Sequence, residues 1–278
     1  VLYQENSGNW QSCDTINAAN DDPTTWGGGE GWGVTLSNLG DIDKDGTTEE
    51  LAIGSSSWSG GVFRVYGGSS GSLLKSHRTQ SADNLNYFAK MVTSAGDFDN
   101  DGASELAISA PGAQINGQWG SGSVLIYRWS DLDAADNNTA KPIRTITGKP
   151  ESNANLGTDF IPIKAGSSIH DKTSSVLINK PSRKIQDQWY VGSFHEYAMI
   201  NMAPSLPKRI EGTSHNALLG TSITQTNDID GDSVSDFIVG SPGDFCDGAP
   251  YGSLSIYSVL HQSFSKKLCH ISYNRKIG

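Results

Sequence analysis

The chain has 278 residues, a formal net charge of −10, 36% hydrophobic residues and 32 glycines. No run reaches the roughly 18 consecutive apolar residues that a membrane-spanning helix needs, so we expect no membrane insertion. An acidic chain repels nucleic acid at long range, so we expect no nucleic-acid partner either. Abundant glycine and serine between short apolar runs predict many short β-strands joined by turns.

Four related segments repeat along the chain at intervals of 56, 70 and 61 residues. They begin at Asp41 (DIDKDGTTEELAIGSS), Asp97 (DFDNDGASELAISAPG), Ser167 (SSIHDKTSSVLINKPS) and Asp228 (DIDGDSVSDFIVGSPG). The first, second and fourth align without gaps, whereas the third has lost most of its acids. A period near 60 residues fits one four-stranded sheet with its loops and is too long for a solenoid coil.

Each repeat therefore predicts one four-stranded unit, with approximate bounds 31–85, 86–150, 155–213 and 216–275, after an N-terminal segment 1–30. A single sheet cannot bury both of its faces, so we expect an all-β fold in which the units pack radially as blades of a β-propeller. Val1–Glu5 is predicted as a strand that can complete the last blade. The predicted strands are, in chain order, Trp32–Leu39, Glu50–Gly54, Val62–Tyr66, Ser72–His77, Tyr87–Ala95, Glu105–Ser109, Ser123–Arg128, Pro142–Thr147, Asp159–Ala165, Ser175–Ile178, Trp189–Phe194, Lys208–Glu211, Leu218–Thr226, Asp236–Gly240, Ser253–Tyr257 and Lys266–Ile271.

Three of the repeats open on an Asp-x-Asp-x-Asp loop between their first two predicted strands. Alternate aspartates in a tight loop can converge on one cation, and Ca²⁺ prefers six to eight oxygen ligands. A further acid at the ninth position and the main-chain carbonyl at the seventh add ligands. The predicted calcium ligands are Asp41, Asp43, Asp45, Thr47 and Glu49; Asp97, Asp99, Asp101, Ala103 and Glu105; and Asp228, Asp230, Asp232, Val234 and Asp236.

The EF-hand begins with the same pattern but requires a glutamate at the twelfth position and a helix on each side. The twelfth positions here are Ala52, Ile108 and Val239, which lie within predicted strands. An EF-hand is therefore excluded, and three loops in register with a β repeat are poorly explained as ordinary acidic turns.

The stretches GDIDKDGTTEELAIGSS, AGDFDNDGASELAISAPGA and NDIDGDSVSDFIVGSPG resemble FG-GAP repeats, which occur in the propellers of integrin α-subunits and in many secreted proteins. The resemblance covers roughly residues 30–275. It implies a propeller with calcium in the loop between the first two strands of a blade, and an extracellular or cell-surface location. The third repeat has Ser167, Ile169 and Ser175 where the others have acids, so we expect three bound Ca²⁺ ions and none in that blade.

Propellers of this family usually have seven blades, and four are recognisable here. The sequence leaves three arrangements open: additional blades belong to the ring, four or five units close by themselves, or two chains complete one ring. An oligomer is one of these arrangements.

Two tryptophans, Trp58 and Trp119, lie in predicted loops at the end of the blades opposite to the acidic loops, and Trp189 with Tyr190 occupies the corresponding region of the third unit. Tryptophan among glycine and serine suits stacking on a sugar or anchoring a protein partner, and it also suits packing between blades. The GxSxG pattern at 67–71 lies in a turn between strands, not at a strand-to-helix elbow, so it does not predict a hydrolase.

We therefore expect a non-catalytic, extracellular calcium-binding propeller that serves protein interaction or cell adhesion. The alternatives are a calcium-stabilised lectin and an auxiliary propeller of a larger secreted enzyme. The three cysteines, Cys13, Cys246 and Cys269, allow at most one intrachain disulfide, whose pairing the sequence leaves open.

Overall fold

The computed structural model describes residues 2–6, 9–14, 31–46, 50–68, 71–79, 83–134, 139–151, 153–164, 173–200, 203–204, 208–245 and 251–269. These residues form an all-β structure in which a 3₁₀ turn occurs at Trp129–Asp131. The strands are β1 (Leu2–Asn6), β2 (Asn9–Asp14), β3 (Thr35–Asn38), β4 (Leu51–Ser57), β5 (Gly60–Tyr66), β6 (Leu73–Thr79), β7 (Val92–Gly96), β8 (Glu105–Ala110), β9 (Ser123–Arg128), β10 (Arg144–Thr147), β11 (Phe160–Lys164), β12 (Thr173–Lys180), β13 (Ser193–Ile200), β14 (Ala203–Pro204), β15 (Lys208–Glu211), β16 (Ile223–Gln225), β17 (Phe237–Ser241), β18 (Ser253–Ser258) and β19 (Ser263–Cys269).

Four antiparallel sheets follow the four sequence repeats, and we call them blades 1 to 4. Blade 1 has the strand order β3-β4-β5-β6, blade 2 has β7-β8-β9-β10, and blade 4 has β16-β17-β18-β19. Blade 3 has β11-β12-β13, with both β14 and β15 paired to β13. Blades 1, 2 and 4 are thus meanders in which consecutive strands are neighbours, and blade 3 departs from this only in that β15 pairs with β13 and not with the short β14. The four sheets confirm the predicted all-β propeller-type architecture.

Several predicted strands differ from the structure: the first strands of blades 2 and 4 begin at Val92 and Ile223, five residues later than Tyr87 and Leu218. Trp189 and Tyr190 lie in a turn, and the third strand of blade 3 begins only at Ser193. The apolar run of this segment is therefore a loop followed by a strand. The N-terminal strand β1 pairs with β2 in a separate two-stranded sheet, so the prediction that it completes blade 4 is wrong. Blade 4 already has four strands of its own.

Apolar side chains join each blade to the next. Strand β7 contacts β3 on one side and β11 on the other, and β11 also contacts β16, so the first strands lie side by side. Among the described residues, three buried clusters fill the spaces between consecutive blades. One of them includes Phe63 and Phe88, the next includes Ile126 and Phe160, and the last includes Phe194 and Phe237.

A repeated main-chain hydrogen bond also joins consecutive blades at the end opposite to the acidic loops. In each case an N–H before the first strand of one blade is donated to a carbonyl at or beyond the end of the second strand of the preceding blade. The donor residue has a positive φ of 57° or 58°, so this backbone conformation is the same at all three interfaces. The pairs are Tyr87 N–H to Ser57 O (2.7 Å), Asn153 N–H to Trp119 O (2.8 Å) and Asn216 N–H to Trp189 O (3.1 Å).

Cys269, at the end of β19, forms a disulfide bond. Cys13 and Cys246 have no described side chain. Within the described residues, no helix is long and apolar enough to cross a membrane.

Candidate metal centre

Each acidic loop connects the first strand of a blade to its second strand, in blades 1, 2 and 4. The three loops share one backbone conformation, with left-handed residues at the fourth and sixth positions. Position four has Lys44 (φ 62°), Asn100 (φ 64°) and Gly231 (φ 85°), and position six has Gly46 (φ 77°), Gly102 (φ 88°) and Ser233 (φ 69°). Glycine takes this conformation without steric cost, and asparagine tolerates it well.

In the loop of blade 1, carboxylate oxygens of Asp41, Asp43 and Asp45 lie within 4.8 Å of one another. Asp41 Oδ2 accepts a hydrogen bond from the Gly46 N–H at 3.1 Å, which closes the loop. Buried Glu50 accepts a hydrogen bond at Oε2 from the Ile42 N–H at 3.0 Å. Burial first, and then the charge of Asp43, raise the pKa of the Glu50 carboxyl.

In the loop of blade 2, carboxylate oxygens of Asp97, Asp99 and Glu105 lie within 4.8 Å of one another. Glu105 is 1% exposed and accepts the Phe98 N–H at 2.6 Å. Burial is the largest of the effects that raise the pKa of Glu105 to about 8; the Phe98 N–H opposes it, and the charge of Asp99 adds to it. Arg128 forms an ion pair with Asp99, so this loop has a cationic neighbour.

In the loop of blade 4, carboxylate oxygens of Asp228, Asp230 and Asp236 lie within 4.8 Å of one another. Asp236 Oδ2 accepts the Ile229 N–H at 2.7 Å. Asp228 Oδ2 accepts the Ser233 N–H at 2.8 Å, and this bond lowers the pKa of Asp228.

Asp232, at the fifth position of the same loop, contacts side chains from outside the loop. Its Oδ2 lies 3.5 Å from His261 Nε2 and accepts a hydrogen bond from Ser258 Oγ at 3.1 Å. Asp230, Asp232 and His261 thus form a second group of potential metal ligands at this loop.

Buried carboxylate oxygens without a hydrogen-bond partner indicate that a cation fits these loops. Asp97 Oδ1 and Asp236 Oδ1 are inaccessible to solvent and accept no hydrogen bond from the residues that the structure describes. A buried ionised oxygen left unsatisfied is costly, and a hard cation is the partner that its chemistry favours. The loops of blades 2 and 4 each have one such oxygen beside two further carboxylates, so the residues present suit a calcium ion.

The structure adds one acid to the ligands predicted for blade 1. Glu49 and Thr47 lie outside the described residues, and Glu50 occupies the place that Glu105 and Asp236 occupy in the other loops. Each of these three acids accepts the N–H of the residue that follows the first aspartate. Counted from the first aspartate to this acid, the loop of blade 1 is therefore one residue longer, and the predicted role of Glu49 as a ligand stays a prediction.

Two further predicted ligands, Asp101 and Asp232, accept hydrogen bonds from the main chain of their own loops. Asp101 Oδ1 accepts the Ala103 N–H, and Asp232 Oδ1 accepts the Val234 N–H, each at 2.8 Å. These two aspartates therefore brace the second half of their loops. The predicted role of the Ala103 and Val234 carbonyls stays a prediction, and the degenerate loop of blade 3 falls on residues 165–172, outside the described residues.

A patch of exposed aromatic side chains lies at the opposite end of the blades, and we call Trp58, Tyr87 and Trp119 the aromatic patch. Trp58 and Trp119 stack with ring centroids 5.7 Å apart and an interplanar angle of 15°. Tyr87 meets Trp58 edge-on at 5.7 Å. Trp58 is 60% exposed and Trp119 is 45% exposed, so packing between blades does not bury either ring.

The second strand of each blade separates the acidic loop from the aromatic end. In blade 1 this strand, β4, has seven residues and spans about 20 Å at roughly 3.3 Å per residue. In blade 3 the exposed Trp189 and Tyr190 lie at the aromatic end, and Lys184 Nζ sits 4.8 Å from the centre of the Trp189 ring. The sequence did not indicate Tyr87 as part of this end, because the apolar run Tyr87–Ala95 predicted a strand.

The family profile of the FG-GAP repeat matches residues 92–127, which run from the first to the third strand of blade 2 and include its acidic loop. The chain carries an FG-GAP repeat. FG-GAP repeats are generally calcium-binding, and the proteins that contain them are typically extracellular.

No match was found among curated proteins. A solved structure of rhamnogalacturonan lyase YesW is similar to the chain, with a TM-score of 0.43 and 15% sequence identity over 79% of this chain and 46% of that chain. The chain thus spans less than half of the lyase, and a likeness this distant carries no argument about activity.

Proposed function

We propose that this FG-GAP protein is a non-catalytic, extracellular calcium-binding propeller module that recognises a protein ligand through its aromatic patch. The observation that carries the proposal is the exposed, stacked pair of Trp58 and Trp119. Large aromatic side chains are enriched among the residues that dominate binding energy at protein interfaces. A disulfide at Cys269 supports an oxidising, extracellular environment.

Calcium is assigned a structural role in this proposal. The residues that would hold it are Asp41, Asp43, Asp45 and Glu50 in blade 1, Asp97, Asp99 and Glu105 in blade 2, and Asp228, Asp230 and Asp236 in blade 4. A bound Ca²⁺ supplies positive charge that neutralises clustered carboxylates. The chain's own contribution is to hold the loops in shape through main-chain N–H groups, and the loops then fix the first two strands of each blade.

The aromatic patch lies at the other end of the blades, so calcium is proposed to stabilise the module without touching the ligand. The patch combines two parallel indole rings with an edge-on phenol ring, a shape that suits a hydrophobic anchor from a protein partner. A glycan is the second candidate, because a flat, exposed indole ring also suits stacking on a sugar.

Two arrays of probes test the ligand proposal. The chain, in millimolar Ca²⁺, is applied to an array of secreted and cell-surface proteins and to a glycan array. We expect hits on the protein array that are lost in Trp58→Ala and Trp119→Ala and kept in Leu260→Ala, which alters an exposed residue at the other end of the blade. Hits on the glycan array alone that depend on the same tryptophans would support the lectin. Hits that neither tryptophan affects would count against the patch.

A further inference from the structure

The aspartate at the third position of each acidic loop has different surroundings in the three blades. These residues are Asp43 in blade 1, Asp99 in blade 2 and Asp230 in blade 4. In all three, Oδ1 accepts a hydrogen bond from the N–H of the residue two positions later, at 3.1, 3.2 and 3.3 Å. The difference between the loops therefore concerns the second carboxylate oxygen, Oδ2.

In blade 2 this second oxygen is held by an arginine. Arg128 Nε donates a hydrogen bond to Asp99 Oδ2 at 2.5 Å, and Arg128 Nη2 lies 2.5 Å from the same oxygen. The Asp99 side chain is 2% exposed, whereas the Arg128 side chain is 40% exposed. Charge-assisted hydrogen bonds from a guanidinium to a carboxylate are among the stronger ones in proteins. The chain itself therefore supplies a counter-charge to this buried aspartate.

The strand register explains why blade 2 differs from blades 1 and 4. Arg128 ends β9 directly opposite Glu105, the acid that closes the loop. Continued by one residue, the strand pairings of blades 1 and 4 place Gly67 and Ser258 at this position. Neither residue can form an ion pair, and Ser258 Oγ donates its hydrogen bond to Asp232.

The third-position aspartates of blades 1 and 4 have more distant cationic neighbours. Lys75 interacts electrostatically with Asp43, but its Nζ donates a hydrogen bond to the Leu132 carbonyl oxygen at 2.7 Å. His261 lies near Asp230, in the second group of potential ligands described above. Within the part of the chain that the structure describes, neither cation forms an ion pair with the third-position aspartate of its loop.

A second cation reaches the loop of blade 2 from the neighbouring blade. Lys44, at the fourth position of the blade 1 loop, donates a hydrogen bond from Nζ to the Gly102 carbonyl oxygen. The Gly102 N–H is in turn donated to Asp97 Oδ2 at 3.1 Å. The fourth positions of the other two loops, Asn100 and Gly231, carry no charge. Two cations of the chain thus brace the loop of blade 2.

We propose that Arg128 sets the calcium affinity of the blade 2 loop by acting as a built-in counter-cation on Asp99. This role rests on the proposed calcium binding. Calcium affinity in aspartate-rich loops depends on the number of charged ligands and on the rigidity of the site. Arg128 reduces the negative charge that the ion meets and engages an oxygen that Asp43 and Asp230 leave to it. The loop of blade 2 therefore binds calcium more weakly than the other two and depends on it less for its shape.

Isothermal titration calorimetry with Ca²⁺ compares the unmodified chain with Arg128→Ser, which introduces the residue that blade 4 has at this position. The unmodified chain should have one site at least about tenfold weaker than the others, and Arg128→Ser should tighten that site about tenfold, because a charge and an oxygen ligand are released. Arg128→Lys keeps the charge and should keep most of the difference between the sites. Lys149→Ser is the matched control, since it removes the same charge from an exposed residue beyond the far end of β10 and should leave every site unchanged.

Thermal melting in EDTA gives a measurement that requires no calcium. In Arg128→Ser the buried Asp99 carboxylate loses its partner, so this variant should melt at a lower temperature than the unmodified chain in EDTA and recover in millimolar Ca²⁺. An unaltered melting temperature in EDTA would overturn the role of Arg128. An unchanged weakest site, or weaker calcium binding, in Arg128→Ser would overturn it as well.

Failure of this role and failure of the proposed calcium binding give different results. If no variant binds calcium, the calcium role is wrong and the role of Arg128 is wrong with it. If the unmodified chain binds calcium at three equal sites, the calcium role stands and the role of Arg128 alone is refuted.

Discussion

Replacing Glu50 with glutamine tests which residue completes the acidic loop of blade 1. The structure assigns this place to Glu50, which is buried and accepts the Ile42 N–H, whereas the ungapped repeat alignment selects Glu49. Glutamine keeps the acceptor oxygen and removes the charge, so Glu50→Gln should weaken calcium binding without disturbing the loop. Glu49→Gln makes the same change in net charge one residue away and is the matched control.

The size of the effect follows from the calcium linkage. A site with a dissociation constant of about 10⁻⁴–10⁻³ M contributes roughly 1.4–2.7 kcal/mol to stability at about 10 mM Ca²⁺. A tenfold loss of affinity in one site removes up to ~1.4 kcal/mol of this. At roughly 2–4 °C per kcal/mol, the calcium-induced rise in melting temperature should shrink by about 3–5 °C in Glu50→Gln and stay unchanged in Glu49→Gln.

Differential scanning fluorimetry in 10 mM Ca²⁺ and in EDTA, at roughly pH 7, measures both parts of this prediction. In EDTA, Glu50→Gln should melt no lower than the unmodified chain, because burial and Asp43 raise the pKa of Glu50 and disfavour its ionised form. The reasoning is refuted if Glu49→Gln loses the calcium response and Glu50→Gln keeps it. It is also refuted if the unmodified chain shows no difference between calcium and EDTA.

Three further predictions concern stability. Burial lowers the pKa of His195 to about 3, so below about pH 6.5 the unfolded chain binds a proton that the folded chain does not. As the pH is lowered from about 6.5 to about 3, the free energy of unfolding should therefore fall by up to ~1.4 kcal/mol per pH unit. In urea unfolding, His195→Gln should lack this part of the dependence of stability on pH. Gly61→Ala should destabilise the chain by more than about 3 kcal/mol, because the new Cβ would lie 2.0 Å from the Phe88 carbonyl oxygen of the next blade. Gly240→Ala is the control: the nearest atom to its Cβ is at 3.6 Å, so the change in stability should stay within about 1 kcal/mol. The denaturant midpoints of the two variants measure both changes. Phe160→Ala removes a fully buried ring between blades 2 and 3 and should lower the free energy of unfolding by about 3–5 kcal/mol in the same measurement. A loss below about 1 kcal/mol would contradict the burial of Phe160 between these two blades.

The acidic loops show how closely local sequence can specify structure and where it fails. The alternation of aspartates and the small residue at the sixth position were enough to predict three loops of one shape between the first two strands of a blade. The extra residue in the loop of blade 1 could not be recognised from the sequence, because Glu49 and Glu50 are the same residue type and either can be aligned with the acids of the other loops. Only the hydrogen bond from the Ile42 N–H distinguishes them.

The aromatic residues show a similar division. The sequence placed Trp58 and Trp119 in loops at one end of the blades, but the stacking between them depends on two adjacent blades, which no local pattern encodes. The apolar run that begins at Trp189 predicted a strand, but in the structure Trp189 lies in a turn. Its carbonyl oxygen accepts a hydrogen bond from the Asn216 N–H, which precedes the first strand of the next blade.

The repeat by itself determined that the chain folds into four-stranded blades, because alternating apolar residues and turn signals are local properties. The sequence could not determine which apolar faces are covered, since Leu254 and Leu268 resemble the buried Val124 and Ile146 in every respect that a pattern can record. Burial depends on the neighbour that arrives from elsewhere in space. The tertiary structure therefore decided that Val124 and Ile146 are buried while Leu254 and Leu268 stay about half exposed, and that Trp58 and Trp119 stack on each other.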